Sequence, residues 1–218
     1  MSERETPAET LDDRDTTRLE NFSDNVFSFA MTLLVLSIAV PRIPNATASE
    51  LATAVLGQLI PLAILVLSFA TIYIVWVSHH EFFRLVPHTD GRILASNGLL
   101  LLFVVICPFP TAILAGYLGS GAAKLAAGFY AGYFLLINVS FNLLVESAER
   151  SPHRDAHGIE DVQINVVRAR ARFGFVAYVV ATLAAFWNAW VSVTICSLLW
   201  AYWAVRGFGP PVVAAKHD

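Results

Sequence analysis

Five long apolar stretches dominate this sequence and restrict what it can fold into. They run over residues 19–40, 51–78, 93–114, 122–145 and 173–205, and short polar segments separate them. A helix needs about 20 apolar residues to cross the hydrocarbon layer of a membrane. The last stretch is too long for one helix, and the polar "WNAW" in its middle predicts a tight hairpin between two helices. We therefore predict an all-α integral membrane protein with six transmembrane helices per subunit.

The composition agrees with a membrane protein. Of the 218 residues, 56% are hydrophobic and 14% are charged, whereas a soluble domain carries about 25% charged residues. A net charge of −3 argues against a nucleic-acid partner. Cys107 and Cys196 lie inside apolar stretches, so we predict buried free thiols and no disulfide framework.

The distribution of basic residues predicts the orientation of the six helices. With both termini in the cytoplasm, the cytoplasmic segments hold 12 of the 14 lysines and arginines, and the outer segments hold Arg42 and Lys124. The positive-inside rule expects this asymmetry of a multi-pass protein in the cell membrane. We expect residues 1–17 to form a disordered cytoplasmic N-terminus, residues 18–206 the six-span domain, and residues 207–218 a cytoplasmic tail.

Membrane lipids are expected partners at the cytoplasmic side. Arg168, Arg170 and Arg172 sit at the start of the predicted fifth helix, at the end of a long inner loop over residues 146–172. They can bind anionic lipid head groups. They can equally serve only to fix the orientation of the helix.

Asp24 lies in the first apolar stretch, where an unpaired carboxylate is costly. A helix turns about 100° per residue, so Arg18, six residues earlier, lies on a different face. The partner of Asp24 must then come from a neighbouring helix or subunit. Trp76, His79 and Asn97 are the polar groups expected at the same depth, and they predict a buried polar network that locks helix packing.

A second set of residues shares another face of the first helix. These residues follow the spacing i, i+4, i+7, i+8 and i+11: Asn25, Phe29, Thr32, Leu33 and Leu36. Such spacing usually means a packing seam against another helix. The mixture of polar and bulky apolar groups also fits an ion pathway, because several copies around an axis would alternate apolar rings with hydroxyl rings. The residues alone leave both interpretations open.

No sequence pattern supports an enzyme. The chain lacks a nucleophile elbow, a P-loop and a dinucleotide fingerprint, and "HHEFF" is not the H-E-x-x-H zinc motif. His79 and His80 are adjacent and point about 100° apart on a helix. We interpret them as hydrogen-bonded interfacial histidines and predict neither a metal nor a cofactor.

The segment "RLENFSD", followed by "FSFAMTLLVL", resembles the first helix of the lysosomal potassium channel family (transmembrane protein 175) and its prokaryotic members, with its R-x-x-x-F-S-D motif. Trp76, His79, Asp90, Asn97 and Pro108 follow in the family's order and spacing. The likeness is good over residues 18–116. It implies a homotetramer of six-span subunits in which the first helix lines a central pore.

The resemblance also implies the position of the constriction. In relatives the narrowest ring is Ile or Leu, three residues before a Thr, and here Phe29 stands at that position before Thr32. Further rings fall at Leu33 and Leu36. Phe29 departs from the aliphatic pattern, and four phenyl groups could either seal the pore or swing aside.

The motif residues themselves are implied to be structural. Arg18, Phe22, Ser23 and Asp24 match residues that pack the inner halves of the helices in the family. His79 and Asn97 match polar partners of that motif.

The expected function is a passive, modestly selective potassium channel with a hydrophobic constriction on the first helix. Its expected partners are potassium ions and further copies of itself. The sequence has no "TVGYG" carbonyl filter, so selectivity would arise at the apolar ring beside the Thr32 hydroxyls. Two alternatives stay open: an ion- or proton-coupled transporter in which Asp24 or His79 titrates, and a non-conducting scaffold or cofactor protein that uses the histidine pair.

Overall fold

Helices form the regular secondary structure of the computed structural model, which describes residues 11–39, 41–86, 88–151 and 161–206, without the side chains of residues 11–15, 161–163 and 206. In chain order these helices are α1 (Leu11–Leu33), α2 (Ala48–Leu56), α3 (Leu59–Phe83), α4 (Gly91–Ile106), α5 (Pro108–Tyr117), α6 (Ala123–Glu149), α7 (Asp161–Trp187) and α8 (Ala189–Arg206).

The first helix begins earlier than expected. α1 starts at Leu11, within the N-terminal segment that we expected to be disordered, while residues 1–10 and 207–218 lie outside the described residues. The aspartates of "LDDRD" fit the first turns of a helix because negative charge is favoured at a helix N-terminus. At its other end α1 tightens into a 3₁₀ turn over Leu34–Ser37, which places Leu36 beyond the α-helix proper.

Two of the predicted spans are broken near prolines. The second span divides at Gly57 and Gln58 into α2 and α3, one turn before Pro61. A proline ring clashes with the carbonyl four residues earlier, so the break falls at residue 57 rather than at Pro61 itself. The third span divides in the same way at Cys107, between α4 and α5, with Pro108 in the first position of α5.

Among the described residues, four helical segments are long and apolar enough to cross a membrane: Ala48–Phe83, Gly91–Tyr117, Ala123–Glu149 and Ile164–Trp187. A shorter apolar helix follows at Ala189–Val205. α1 is not among the four, because its first half is rich in charged residues. The all-α membrane class is therefore confirmed, and the number of six spans stays a prediction.

The last apolar stretch folds back on itself at Asn188, between α7 and α8. Phe173 and Tyr202 lie on either side of this turn at nearly equal distances along the chain, and their ring centroids are 5.1 Å apart. The two helices thus run antiparallel, as the "WNAW" segment predicted. The preceding loop is shorter than the predicted 146–172, since α6 extends to Glu149 and α7 begins at Asp161.

α6 lies at the centre of the described bundle, in contact with α4, α5, α7 and α8. Small residues allow α6 and α7 to approach closely, which is common between membrane helices. A Cβ added at Gly128 would lie 3.6 Å from Cβ of Ala185, and one at Gly132 would lie 3.6 Å from Cγ2 of Thr182. α1 lies at the edge of this bundle, against α3 and α4.

Candidate functional site

The two faces of α1 have opposite surroundings. Ser23, Phe27, Ala30 and Leu34 follow the spacing i, i+4, i+7 and i+11, and each is at most 1% exposed. This row packs α1 against α3 and α4. Because this row faces the bundle, the residues on the opposite side of α1 face away from it.

A chain of hydrogen bonds crosses from α3 to α1 through α4. Nε2–H of His79 donates to Oδ1 of Asn97 (2.8 Å), and Nδ2–H of Asn97 donates to Oγ of Ser23 (2.9 Å). The Ser23 hydroxyl in turn donates to the carbonyl oxygen of Leu19 (2.8 Å). His79, Asn97 and Ser23 are all buried, so these bonds compensate for polar groups that are removed from water.

Asp24 has a separate partner. Nε1–H of Trp76 donates to Oδ1 of Asp24 at 2.8 Å, from α3 to α1. The carboxylate therefore finds its partner on a neighbouring helix, as its position required. The single network expected from the sequence is divided into two contacts, one through Trp76 and one through His79 and Asn97.

Glu20 and His80 form a contact that was not expected from the sequence. Glu20 lies one turn before Asp24 on α1, and His80 lies one turn after Trp76 on α3. Nδ1 of His80 lies 2.7 Å from Oε1 of Glu20. The two residues on each helix are four apart, so Glu20 and Asp24 share a face of α1, and Trp76 and His80 share a face of α3. This matched spacing on two helices was the available signal.

Two motif residues, Arg18 and Phe22, are exposed in the single chain. Phe22 is 59% exposed, so the packing that the resemblance implies for it stays a prediction and would need a neighbouring copy. The reason for its exposure is its angle: it precedes the buried Ser23 by one residue and so points about 100° away from it. Arg18 lies near the start of the same helix.

The residues predicted to line a pore lie together on the exposed face of α1 and its 3₁₀ turn. Phe29 is 69% exposed and Leu36 75%, and Leu33, Asn25 and Thr32 are exposed as well. Because Phe29 and Leu36 are large apolar groups, this face must be covered by lipid or by further copies of the chain.

The two polar groups of this face donate their protons to their own helix. Oγ1–H of Thr32 donates to the carbonyl oxygen of Phe29 (2.8 Å), and Nδ2–H of Asn25 donates to the carbonyl oxygen of Asn21 (2.8 Å). Each side chain therefore keeps an oxygen with lone pairs directed away from its donated proton. Oxygens of this kind can accept bonds from water or contact a cation.

Two of the three arginines considered as lipid ligands contact carboxylates within the chain. Arg168 forms an ion pair and hydrogen bonds with Glu149, and Nη1 of Arg170 lies 3.6 Å from Oε2 of Glu81. These contacts hold α7 to α6 and α3. They favour a structural role for Arg168 and Arg170.

Together the fold and these contacts define a class: a multi-span, all-helical membrane protein whose first helix is fastened to the bundle by polar groups and exposes an apolar face. Comparison with known proteins gives the family. The sequence model of the family described as endosomal/lysosomal potassium channel TMEM175 matches residues 18–108. A potassium channel of Chamaesiphon minutus is 39% identical over 198 residues, which are 91% of this chain and 98% of the relative. The chain therefore belongs to the TMEM175 family.

Other relatives and solved structures agree. A potassium channel of Streptomyces collinus is 33% identical over 187 residues, 85% of this chain and 90% of the relative. The crystal structure of a lysosomal potassium-selective channel TMEM175 homolog from Chamaesiphon minutus matches with a TM-score of 0.81 at 39% identity, covering 90% of this chain and 100% of that one. A variant of the potassium channel MtTMEM175, solved in complex with a nanobody fusion protein, is 21% identical with a TM-score of 0.61 and is similar in fold; the match covers 93% of this chain and 96% of that one.

Proposed function

We propose that this chain is the subunit of a passive cation channel that favours potassium and works as a homotetramer in the cell membrane. Each subunit has six transmembrane helices: α1, α2 with α3, α4 with α5, α6, α7 and α8. Both termini lie in the cytoplasm. Four copies of α1 surround the pore, and Asn25, Phe29, Thr32, Leu33 and Leu36 face its axis.

One observation carries this proposal: the exposed face of α1. A helix that lay in lipid would have no reason to mix Asn25 and Thr32 with its apolar residues, because polar groups facing hydrocarbon are costly. Around an axis, the same mixture gives apolar rings at Phe29 and Leu36 beside a hydroxyl ring at Thr32. Membership of a family whose named relatives are potassium channels supports the choice of an ion pathway.

The constriction is the Phe29 ring, and Thr32 acts next to it. Residues three apart on a helix are about 4.5 Å apart along its axis. The Thr32 hydroxyl donates to the Phe29 carbonyl, so its oxygen can contact a partly dehydrated ion as the ion passes the apolar ring. Potassium holds its water less tightly than sodium and passes such a ring more easily.

The alternative of a coupled transporter with Asp24 or His79 as the titrating group has less support. Asp24 is bonded to Trp76, and His79 is bonded to Asn97 in a buried position. Groups that are hydrogen-bonded in this way are suited to stabilise the packing of α1 against α3 and α4. Transport that accumulates an ion against its gradient would favour the alternative.

The decisive experiment measures ion flux in liposomes that contain the purified protein. We expect an imposed potassium gradient to run down passively, with a smaller sodium flux under matched conditions. Equal sodium and potassium fluxes would refute the proposed potassium selectivity but would still support a channel. The absence of any passive flux would contradict the proposal.

Phe29→Ala then tests the constriction. Truncation of an apolar ring widens and wets the pathway, so we expect a larger flux and weaker discrimination against sodium. Phe109→Ala is the matched control, because Phe109 is 59% exposed in the chain, close to the 69% of Phe29, but lies on α5. If the face is only a packing seam, Phe29→Ala should instead lower stability by about 3–5 kcal/mol without changing selectivity.

A further inference from the structure

A group of three metal-ligating side chains lies between α1 and α3, on a different side of α1 from the proposed pore face. Ligand atoms of Glu20, Asp24 and His80 all lie within 4.8 Å of one another. Glu20 and Asp24 are one turn apart on α1, and His80 reaches them from α3. We propose that these residues bind a divalent transition-metal cation that bridges the two helices.

The contact between His80 and Glu20 suits shared coordination of a cation. Nδ1 of His80 lies 2.7 Å from Oε1 of Glu20, but the contact does not have the angle of a hydrogen bond. Nδ1 is shielded from solvent and has no hydrogen-bond partner among the described residues. When this nitrogen is unprotonated, its lone pair and the nearby carboxylate oxygens can bind the same cation after a small adjustment of the side chains.

Charge gives a second reason. Two carboxylates held this close in partly buried positions repel each other, and a cation between them removes that repulsion. Glu20 is 23% exposed as a side chain, and His80 is 46% exposed, so an ion can enter from the solvent side. The site is therefore accessible without being fully hydrated.

Trp76 holds two of the three ligands in place. Its Nε1–H fixes Oδ1 of Asp24 and leaves Oδ2 for the ion. Its ring also stacks on the imidazole of His80, with centroids 6.1 Å apart and planes inclined by 21°. Outer groups that orient ligands in this way are a regular feature of metal sites, and Trp76 would be such a positioning residue.

The ligand set selects the class of metal. Two carboxylates and one imidazole suit first-row divalent cations such as zinc or manganese, whereas magnesium prefers oxygen and retains its water. Three protein ligands leave at least one position for water. The inference concerns binding alone and does not depend on ion conduction through the pore.

The test measures zinc binding to the purified, tag-free full chain in detergent. The method is isothermal titration calorimetry at constant pH, with magnesium as the control ion. We expect a saturable site for one zinc per chain in the wild type. Glu20→Gln and His80→Gln should each weaken it by at least about tenfold, the loss seen even for outer partners of metal ligands. Glu81→Gln is the matched control, because this neighbouring carboxylate lies 3.6 Å from Arg170 and outside the site.

Thermal stability gives an independent readout. A ligand that binds only the folded state raises the melting temperature, so zinc should raise the Tm of the wild type and of Glu81→Gln, and not that of Glu20→Gln. Equal zinc affinity in Glu20→Gln and Glu81→Gln would overturn the proposal. So would equal responses to magnesium and zinc, or loss of binding in His80→Gln with no effect in Glu20→Gln.

Discussion

Ser23 and Asp24 are adjacent, yet they fasten α1 to the bundle through different partners. Ser23 lies in the fully buried row and receives a hydrogen bond from Asn97 on α4. Asp24, turned by about 100°, accepts one from Trp76 on α3. Consecutive polar residues thus connect the first helix to two neighbours. This explains why a helix with an exposed apolar face also carries polar groups on its other sides.

Trp76→Phe tests the contact with Asp24. The change keeps most of the ring area and removes the only N–H of the side chain, so the carboxylate loses its donor. We expect the free energy of unfolding to fall by about 1–3 kcal/mol, the usual cost of an unsatisfied buried partner. The measurement is thermal or denaturant unfolding in detergent, beside Trp187→Phe, whose indole is 76% exposed. Equal losses in both variants would contradict a specific role for Nε1.

Thr32→Val tests the hydroxyl of the proposed pore face. Valine nearly keeps the shape of threonine but removes the oxygen that an ion could contact. We expect a lower ratio of potassium to sodium flux with unchanged assembly, and we expect Thr32→Ser to retain the wild-type ratio. A silent Thr32→Val in the liposome flux assay would assign Thr32 to packing.

For single residues, the sequence predicts that a buried polar group needs a hydrogen-bond partner better than it predicts which residue supplies it. The cost of an unpaired carboxylate in an apolar helix predicts that Asp24 has a partner on another helix. Which of Trp76, His79 and Asn97 it contacts depends on how α3 and α4 are rotated about their own axes. Those rotations follow from the packing of the whole bundle and cannot be read from local spacing. The matched spacing of Glu20 with Asp24 and of Trp76 with His80 was available in the sequence, but it does not say that these two faces meet.

At the scale of helices, the sequence located the apolar helical segments better than it located their ends. Apolar length identified each block, and the hairpin at Asn188 followed from its polar residues. Both breaks lie before a proline: the first is one turn before Pro61, where the ring clashes with the carbonyl four residues earlier, and the second directly precedes Pro108. α1 begins before the predicted six-span domain, in a charged segment that we expected to be disordered and that fits a helix N-terminus.

Asp90 caps the start of α4. Its Oδ1 accepts hydrogen bonds from the backbone N–H of Arg92 and of Ile93, each at 2.9 Å, at the start of α4. Partial burial raises the pKa of the carboxyl, but the backbone hydrogen bonds from Ile93 and Arg92 outweigh it and hold the pKa below its ordinary value. We expect Asp90→Ala to lower stability by about 0.5–2 kcal/mol at neutral pH.

The pH dependence of this effect has a definite sign. A carboxyl with a lowered pKa in the folded state stabilises the protein above its ordinary pKa, and this contribution is lost as the pH falls through the folded-state value. The stability difference between the wild type and Asp90→Ala should therefore narrow at acidic pH. Asp90→Ser keeps an uncharged cap, and unfolding of the three proteins at several pH values would separate capping from charge. A difference that does not change with pH would contradict the role of the carboxylate.

At the scale of the whole molecule, one copy of α1 cannot enclose a pathway. The apolar face of α1 is visible in the sequence, but its covering is not, because periodicity is the same for a seam with another helix and for a pore. We predict a tetramer with closed rotational symmetry. Light scattering or native mass spectrometry in mild detergent should give four times the chain mass, and a monomer that still conducts ions would refute this.

A matched pair of cysteine variants tests whether the face of α1 surrounds an axis. Leu36 and Val35 are adjacent on the 3₁₀ turn, and both are well exposed in the single chain, 75% and 61%. Only the assembly distinguishes them, since Leu36 would face the pore and Val35 would point to one side. The native Cys107 and Cys196 are buried, so they should contribute little background. A positively charged, thiol-reactive reagent should block potassium flux through Leu36→Cys and leave Val35→Cys largely unaffected. Equal block of both, or of neither in proteins that react with the reagent, would place this face of α1 away from the ion pathway.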